Sequence, residues 1–373
     1  MPCPPAILQV LPALVSGGVE RGTVEIAEAI AGAGFRALVA SAGGPLVREV
    51  EGVGGAHVTL PLDTKSPAGI WRNAAALAAL VRAEEVAILH ARSRAPAWSA
   101  WLAARRTGAH FVTTYHGAYN ENLPGKRLYN AVMARGERVI AISRFIAELI
   151  EARHGTPKSR IRLIPRGVDP RRFDPAAVAP ARVLAQREAW GAAPGQHIVL
   201  LPGRITRWKG QMVLVEALAR LPGAIGVLAG DGSPAFQREL QDRAAALGLG
   251  PRLVLAGHME ALDVALLAAD VVVHASTDAE AFGRTVIEAQ AMARPVIAAD
   301  LGGPRETVEE GVTGWRVPPG DPAALAAALA RVLAMPEAER EAVGAGARAV
   351  VLRDYTTAAM QRATVAVYRE LLA

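Results

Sequence analysis

The strongest constraint on this chain is an alternation of short apolar runs with helical patterns that proceeds, halts and begins again. The run "AILQVLPAL" leads into the glycine-bearing turn "SGGVERG", a helical pattern follows from Thr23 to Ala31, and a second apolar run, "RALVAS", comes after it. Further apolar runs stand at "VAILHA", "HFVTTYH" and "RVIAIS". The pattern then restarts with strand "HIVLLPGRI", helix "QMVLVEALARL", strand "IGVLAGDG", helix "AFQRELQDRAAALG" and strands "RLVLAG", "VVVHAS" and "RPVIAAD". Repeated strand, crossover helix and strand predict a parallel sheet covered by helices on both faces, here twice over. Glycines at the first strand-to-helix turn fall on the edge where open parallel sheets bind ligands. Between the halves, "PRGVDPRRFDPAAVAPARV" is proline-rich and aperiodic and reads as a hinge. A length of 373 residues fits two domains, expected at 1–175 and 176–355, with an apolar-faced helix over 356–373 packing back on the first.

Several function classes lose support. No stretch of 18 apolar residues occurs, and "MPCPPAILQV" lacks a basic segment followed by an apolar core and cleavage site, which predicts a cytosolic chain. The single cysteine, Cys3, excludes an intramolecular disulfide or a cysteine metal cluster, and its terminal position argues against catalysis. "SGGVERG" lacks the G-x-G-x-x-G spacing of dinucleotide sites, and no G-x-x-x-x-G-K-[ST] loop is present. Asp278 and Glu280 imitate an acidic metal pair, but no further aspartate dyad accompanies them and the eight histidines show no ligand spacing, so no metal is expected. His274, inside an apolar strand, reads as a satisfied core histidine.

The net charge of +6 conceals an asymmetry. Residues 1–180 hold 22 Lys and Arg against 14 Asp and Glu, a balance of +8, whereas 181–373 hold 19 against 21, or −2. The excess concentrates in Arg92, Arg94, Arg105, Arg106, Lys126, Arg127, Arg135, Arg138 and Arg144, opposed there only by Glu121 and Glu137. A solvated surface, a nucleic-acid footprint and a patch for anionic lipid headgroups all fit such a stretch. An aromatic content of 5% and the lack of a recognised binding module argue against nucleic acid.

In "EAFGRTVIE", Glu280 stands eight residues before Glu288. An acid and base sharing one scissile bond need carboxyl groups roughly 5 to 9.5 Å apart. The run from Arg284 to Met292 reads as a helix, however, and eight helical residues rise about 12 Å. Two glutamates so placed can grip opposite ends of one long ligand. The backbone N–H groups of Phe282, Gly283 and Arg284 would be the unpaired donors of a helix N-terminus, a seat for phosphate. A ligand with hydroxyls at both ends and phosphates between them is a nucleotide sugar. A plainer reading stands beside this one: Glu280 as a helix-start acid favoured by the dipole, and Glu288 as a solvated helix residue.

Taken in order, these motifs resemble the retaining glycosyltransferases of family 4, along nearly the whole chain. "EAFGRTVIE" matches that family's Glu-x7-Glu signature, and "AMARPVIAADLGGPRE" its small-residue stretch and Gly-Gly-x-x-Glu turn. "GRITRWKG", "AGDGS", "HGAY", "AISRF" and the glycines of "SGGVE" match other elements. The resemblance implies an α/β protein of GT-B architecture: two facing Rossmann-like domains with parallel sheets and a deep interdomain cleft, needing neither metal nor cofactor beyond the donor substrate. It implies that Glu280 holds hydroxyls of the transferred sugar and Glu288 those of the ribose, while Arg204 and Lys209 neutralise the pyrophosphate. Backbone groups at Phe282, Gly283 and Arg284 would add hydrogen bonds. Gly17 and Gly18 would let main chain approach the same diphosphate, His116 would line the sugar pocket, and His258 in "AGHME" is a candidate for contact with the base. Arg166 departs from the pattern, standing where the family has Asn in a Pro-Asn-Gly-Val-Asp turn; reach to phosphate and reach to acceptor are both open for it.

The function so implied is transfer of a sugar, with retention, from a nucleoside-diphosphate donor to a saccharide or glycolipid acceptor. The resemblance to envelope enzymes points to lipopolysaccharide core or another envelope glycan, built at the inner face of the cytoplasmic membrane with the basic stretch toward anionic lipid. No nucleic acid is expected as a partner. The alternative is a nonenzymatic glycan-binding or assembly subunit that keeps the same fold.

Overall fold

The computed structural model describes residues 4–15 and 17–373, so Cys3 lies outside the described residues. The chain forms two compact units, one running up to Pro165 and taking in Thr357–Ala373, the other Arg166–Thr356.

In the first unit, seven strands form one parallel sheet: β1 (Ala6–Val10), β2 (Arg36–Ser41), β3 (Gly55–Thr59), β4 (Val86–Ala91), β5 (His110–Tyr115), β6 (Arg138–Ala141) and β7 (Ile161–Leu163), in the order β3-β2-β1-β4-β5-β6-β7. β1 pairs with β2 on one side, Ala6 opposite Arg36, and with β4 on the other, Ile7 opposite Ile88. All five β1 residues are buried, because helices cover both faces of a parallel sheet. The terminal helix Thr357–Leu372 is part of this unit's core: Met360, Val367 and Tyr368 pack with Ile7, Val24, Ile30 and Ile88. The Tyr368 hydroxyl lies 2.7 Å from His90 Nδ1, and Glu370 accepts from Arg138 and Arg162.

The second unit has six parallel strands: β8 (Ile198–Pro202), β9 (Ile225–Ala229), β10 (Leu253–Gly257), β11 (Val271–His274), β12 (Val296–Ala299) and β13 (Trp315–Val317), in the order β10-β9-β8-β11-β12-β13. Residues 166–175, placed with the first domain by sequence, are held here instead. Val168 N–H donates to Tyr355 O at 2.9 Å, and Arg348 donates to Phe173 O and the Asp174 carboxylate at 3.0 Å each. Arg166 is buried.

In both sheets strand order reverses beside the unit's first strand, between β1 and β4 and between β8 and β11. The loops leaving the carboxyl ends of such a pair splay apart and open a crevice, the usual ligand position in open α/β sheets.

Candidate active site

The segments flanking the second reversal are "GRITRWKG", leaving β8, and "ASTDAEAFG", leaving β11. They are fastened to each other. Thr277 N–H donates to Trp208 O at 2.8 Å. Gly210 has φ +76°, and a Cβ there would overlap the Ala275 carbonyl oxygen. Only glycine meets both conditions at once. A second clamp comes from Gly302 and Gly303, which press on the Glu280–Phe282 backbone and donate a 2.8 Å hydrogen bond from Gly303 N–H to Glu280 O. The Gly-Gly turn thus positions the carboxylate-bearing loop.

Glu280 is the centre of this arrangement. Its Oε1 lies 2.6 Å from Lys209 Nζ, 2.7 Å from His274 Nε2 and 2.5 Å from Ser276 Oγ. Burial by itself would raise its pKa, but His274 and Lys209 outweigh that and hold the carboxyl well below the usual range. Glu280 is therefore an ionised acceptor in a largely dry site rather than a helix-start acid. Two of its partners escaped the sequence reading. His274 is buried as expected, yet it serves the carboxylate, and Ser276 carried no motif of its own. Their signal was alternation: on a strand and its extension, 274 and 276 share a face.

The helix Arg284–Ala291 begins after Gly283, at φ +79°, which supplies no side-chain cap. Phe282 is buried edge-on against Tyr355, their ring centres 5.9 Å apart, so its contribution to a ligand is limited to backbone. Glu288 is buried and accepts from Arg284 Nε at 3.1 Å, which replaces the solvated-helix reading. Arg204 is exposed, and its guanidinium makes no hydrogen bond or ion pair among the described residues. His258, exposed after β10, stands two strands from the reversal. Among the described residues no group of three or more His, Cys, Asp or Glu could hold a metal ion.

Gly17, Gly18 and His116 belong to the first unit. Gly17 caps the helix Gly18–Gly32, with the Glu20 carboxylate folded over it, while His116 is half-buried after β5. The basic stretch is not one surface. Arg92 is buried, Arg138 is paired with Glu370, and Arg94 donates to Asn130 Oδ1 at 3.0 Å. What reaches solvent is interleaved with tryptophan: Arg105 and Arg135 lie 5.1 and 4.5 Å from the Trp101 ring centre, and Arg106 lies 4.8 Å from that of the exposed Trp71. Leu123 and Leu128 are exposed in the segment that carries Lys126 and Arg127. Among the described residues no helix is long and apolar enough to cross a membrane.

Two parallel-sheet α/β units, each with its strand order reversing beside its first strand, are the GT-B architecture. Residues 16–172 match the family Glycosyltransferase Family 4, and residues 184–350 match Glycosyl transferases group 1. A glycosyltransferase from Rickettsia africae ESF-5 is 35% identical and superposes with a TM-score of 0.91 over 99% of both chains. The D-inositol 3-phosphate glycosyltransferase of Xylanimonas cellulosilytica is 35% identical over 288 residues, 70% of this chain and 67% of that one. The same-named protein of Geodermatophilus obscurus is 36% identical over 231 residues, 58% of this chain and about half (49%) of its own length. Anabaena Alr3699/HepE, solved with UDP-glucose, shares the fold at 24% identity, with a TM-score of 0.87 over 98% of this chain and 99% of that one. The chain belongs to glycosyltransferase family 4.

Proposed function

We propose that this glycosyltransferase moves a sugar from a nucleoside-diphosphate donor to an acceptor hydroxyl, with retention and without a metal ion. The observation that carries the reading is the Lys209–Glu280 pair at the second unit's reversal, beside an uncapped helix N-terminus and the exposed Arg204. Glu280, ionised and already oriented by His274 and Ser276, accepts from hydroxyls of the transferred sugar. Lys209 turns from Glu280 to the diphosphate as the donor enters, and Arg204 and the N–H groups at Gly283 and Arg284 complete its neutralisation. Glu288 takes the ribose hydroxyls. As the bond from the anomeric carbon to phosphate oxygen breaks, the acceptor oxygen bonds to the same face, and its proton passes to the leaving phosphate.

The acceptor in this reading is a saccharide or glycolipid of the cell envelope, such as lipopolysaccharide core, met at the inner face of the cytoplasmic membrane through the Arg and Trp surface. A second reading, a small phosphorylated polyol acceptor, is favoured by the 35% identity to a D-inositol 3-phosphate glycosyltransferase. A screen of UDP-, GDP- and ADP-sugars by thermal stabilisation and slow hydrolysis tests the donor claim. Glu288→Gln should weaken free nucleoside diphosphate several-fold, whereas Glu280→Gln should spare it and impair transfer. Equal losses of nucleotide affinity would refute that division of roles, and hydrolysis of no donor would favour a nonenzymatic subunit.

A further inference from the structure

The turn that carries Lys209 also carries an aromatic ring that the fold does not use. Arg207–Lys209 is one 3₁₀ turn, so its three side chains leave in three directions. Arg207 goes to the Glu239 carboxylate and over the Phe236 ring, while Lys209 goes inward to Glu280. Trp208 does not enter the core: it is 40% exposed, and no other ring packs against its indole among the described residues. Its main chain, by contrast, is fixed. Trp208 O accepts from Thr277 N–H at 2.8 Å and from Thr277 Oγ1 at 3.3 Å, which ties the backbone bearing the ring to the segment that carries Glu280.

By itself an exposed tryptophan calls for no explanation. What sets this one apart is the ammonium over it. Lys209 Nζ lies 4.8 Å from the Trp208 ring centre and 2.6 Å from Glu280 Oε1, so one cation bridges the ring face and the buried carboxylate. The ring attracts it because the face of the π system is negative. A sugar ring offers that face a similar partner, since its C–H bonds carry partial positive charge on an otherwise apolar surface. The hydroxyls at its rim need acceptors such as Glu280. A ring face and a carboxylate flanking one ammonium are thus the two halves of a saccharide subsite.

We infer that Trp208 is the stacking platform for the transferred sugar: as Lys209 turns to the diphosphate, the C–H face of the sugar takes the place of the ammonium over the indole, and its hydroxyls go to Glu280. The inference rests on the sugar-transfer reading above. The ring belongs to the sugar and not to the base because its bridge runs to Glu280, at the sugar end of the donor, and not to Glu288, at the ribose end.

The probes are the best-binding of the UDP-, GDP- and ADP-sugars and its free nucleoside diphosphate, each titrated calorimetrically into the full chain without acceptor. Trp208→Ala should raise the Kd of the nucleotide sugar roughly fivefold or more and leave that of the nucleoside diphosphate within about twofold, because only the sugar loses its platform. Trp208→Phe, which keeps a smaller ring face, should fall between. The difference in tryptophan emission between wild type and Trp208→Phe should change when nucleotide sugar is added and not when nucleoside diphosphate is. Equal losses for the two ligands would make Trp208 a support for Lys209 or a platform for the base and would overturn the inference. An unchanged nucleotide-sugar Kd in Trp208→Ala overturns it as well, and a raised acceptor KM in that variant would then give the ring to the acceptor. If Trp208→Ala does not fold, Trp208→Phe decides, and a wild-type Kd with no sugar-dependent emission difference overturns the inference. A wild type that binds neither ligand fails the donor reading and this inference together, whereas a wild type that binds both, with Trp208→Ala indistinguishable from it, fails this inference alone.

Discussion

The two units share a plan and differ in how they treat charge. Each is a parallel sheet whose order reverses beside its first strand, with glycine-bearing loops at the carboxyl edge. In the second unit the buried carboxylate is answered three times over, by Lys209, His274 and Ser276. In the first, the buried Arg92 is answered by nothing within hydrogen-bonding reach among the described residues. The shared plan provides a place for a ligand, and the loops decide what chemistry occupies it. The second unit's carboxylate carries its own counterions.

That contrast can be broken most directly at Lys209. Lys209→Ala should lower transfer turnover by a factor on the order of 10² or more, the usual loss for a cation facing charge that develops in the transition state. Wild-type turnover with the preferred donor would take the electrostatic work away from the second unit. The clamp beneath that site should be nearly as sensitive. Gly210→Ala should cost about 2 to 4 kcal/mol in chemical denaturation, since it adds a backbone overlap to a left-handed φ. Gly108→Ala, at φ +80° in the first unit with open space around it, should cost only the conformational penalty of about 1 to 2 kcal/mol. Equal costs would mean that the Gly210 contact relaxes freely.

The first unit's surface offers a smaller effect. Changing Arg105, Arg106, Lys126 and Arg127 together to glutamine should weaken binding to anionic vesicles more than tenfold, at about 1 kcal/mol per charge. Wild-type binding should itself fade with added salt. Donor hydrolysis should persist. A wild type that ignores vesicles would withdraw the membrane claim and leave the second unit's chemistry standing.

The smallest effect concerns pH. Because the Glu280 pKa is depressed on folding, its stabilisation is fully present above the ordinary glutamate value of about 4.3 and is lost as pH falls below it toward the folded value. Glu280→Gln should therefore be less stable than wild type near neutrality, with the two denaturation midpoints converging in acid. A gap that stays constant would show that the carboxylate's charge is not what its three partners stabilise.

The sequence by itself determined the repeated strand and helix alternation, the parallel sheets, and the segments around Arg204, Lys209, Glu280 and Glu288, because buried parallel strands must be written as apolar runs and phosphate turns as glycine. It missed β3, β7 and β13, edge strands whose mixed burial leaves no such run. Only the tertiary structure decided that Glu280 is gripped by Lys209 from a loop 71 residues away and by His274 and Ser276 beside it. Only it separated Arg92 from the surface arginines around it in sequence. Charge is counted one residue at a time along a chain, but its energy depends on burial and on partners brought close by the crossing of distant loops, and neither exists until the sheet has formed.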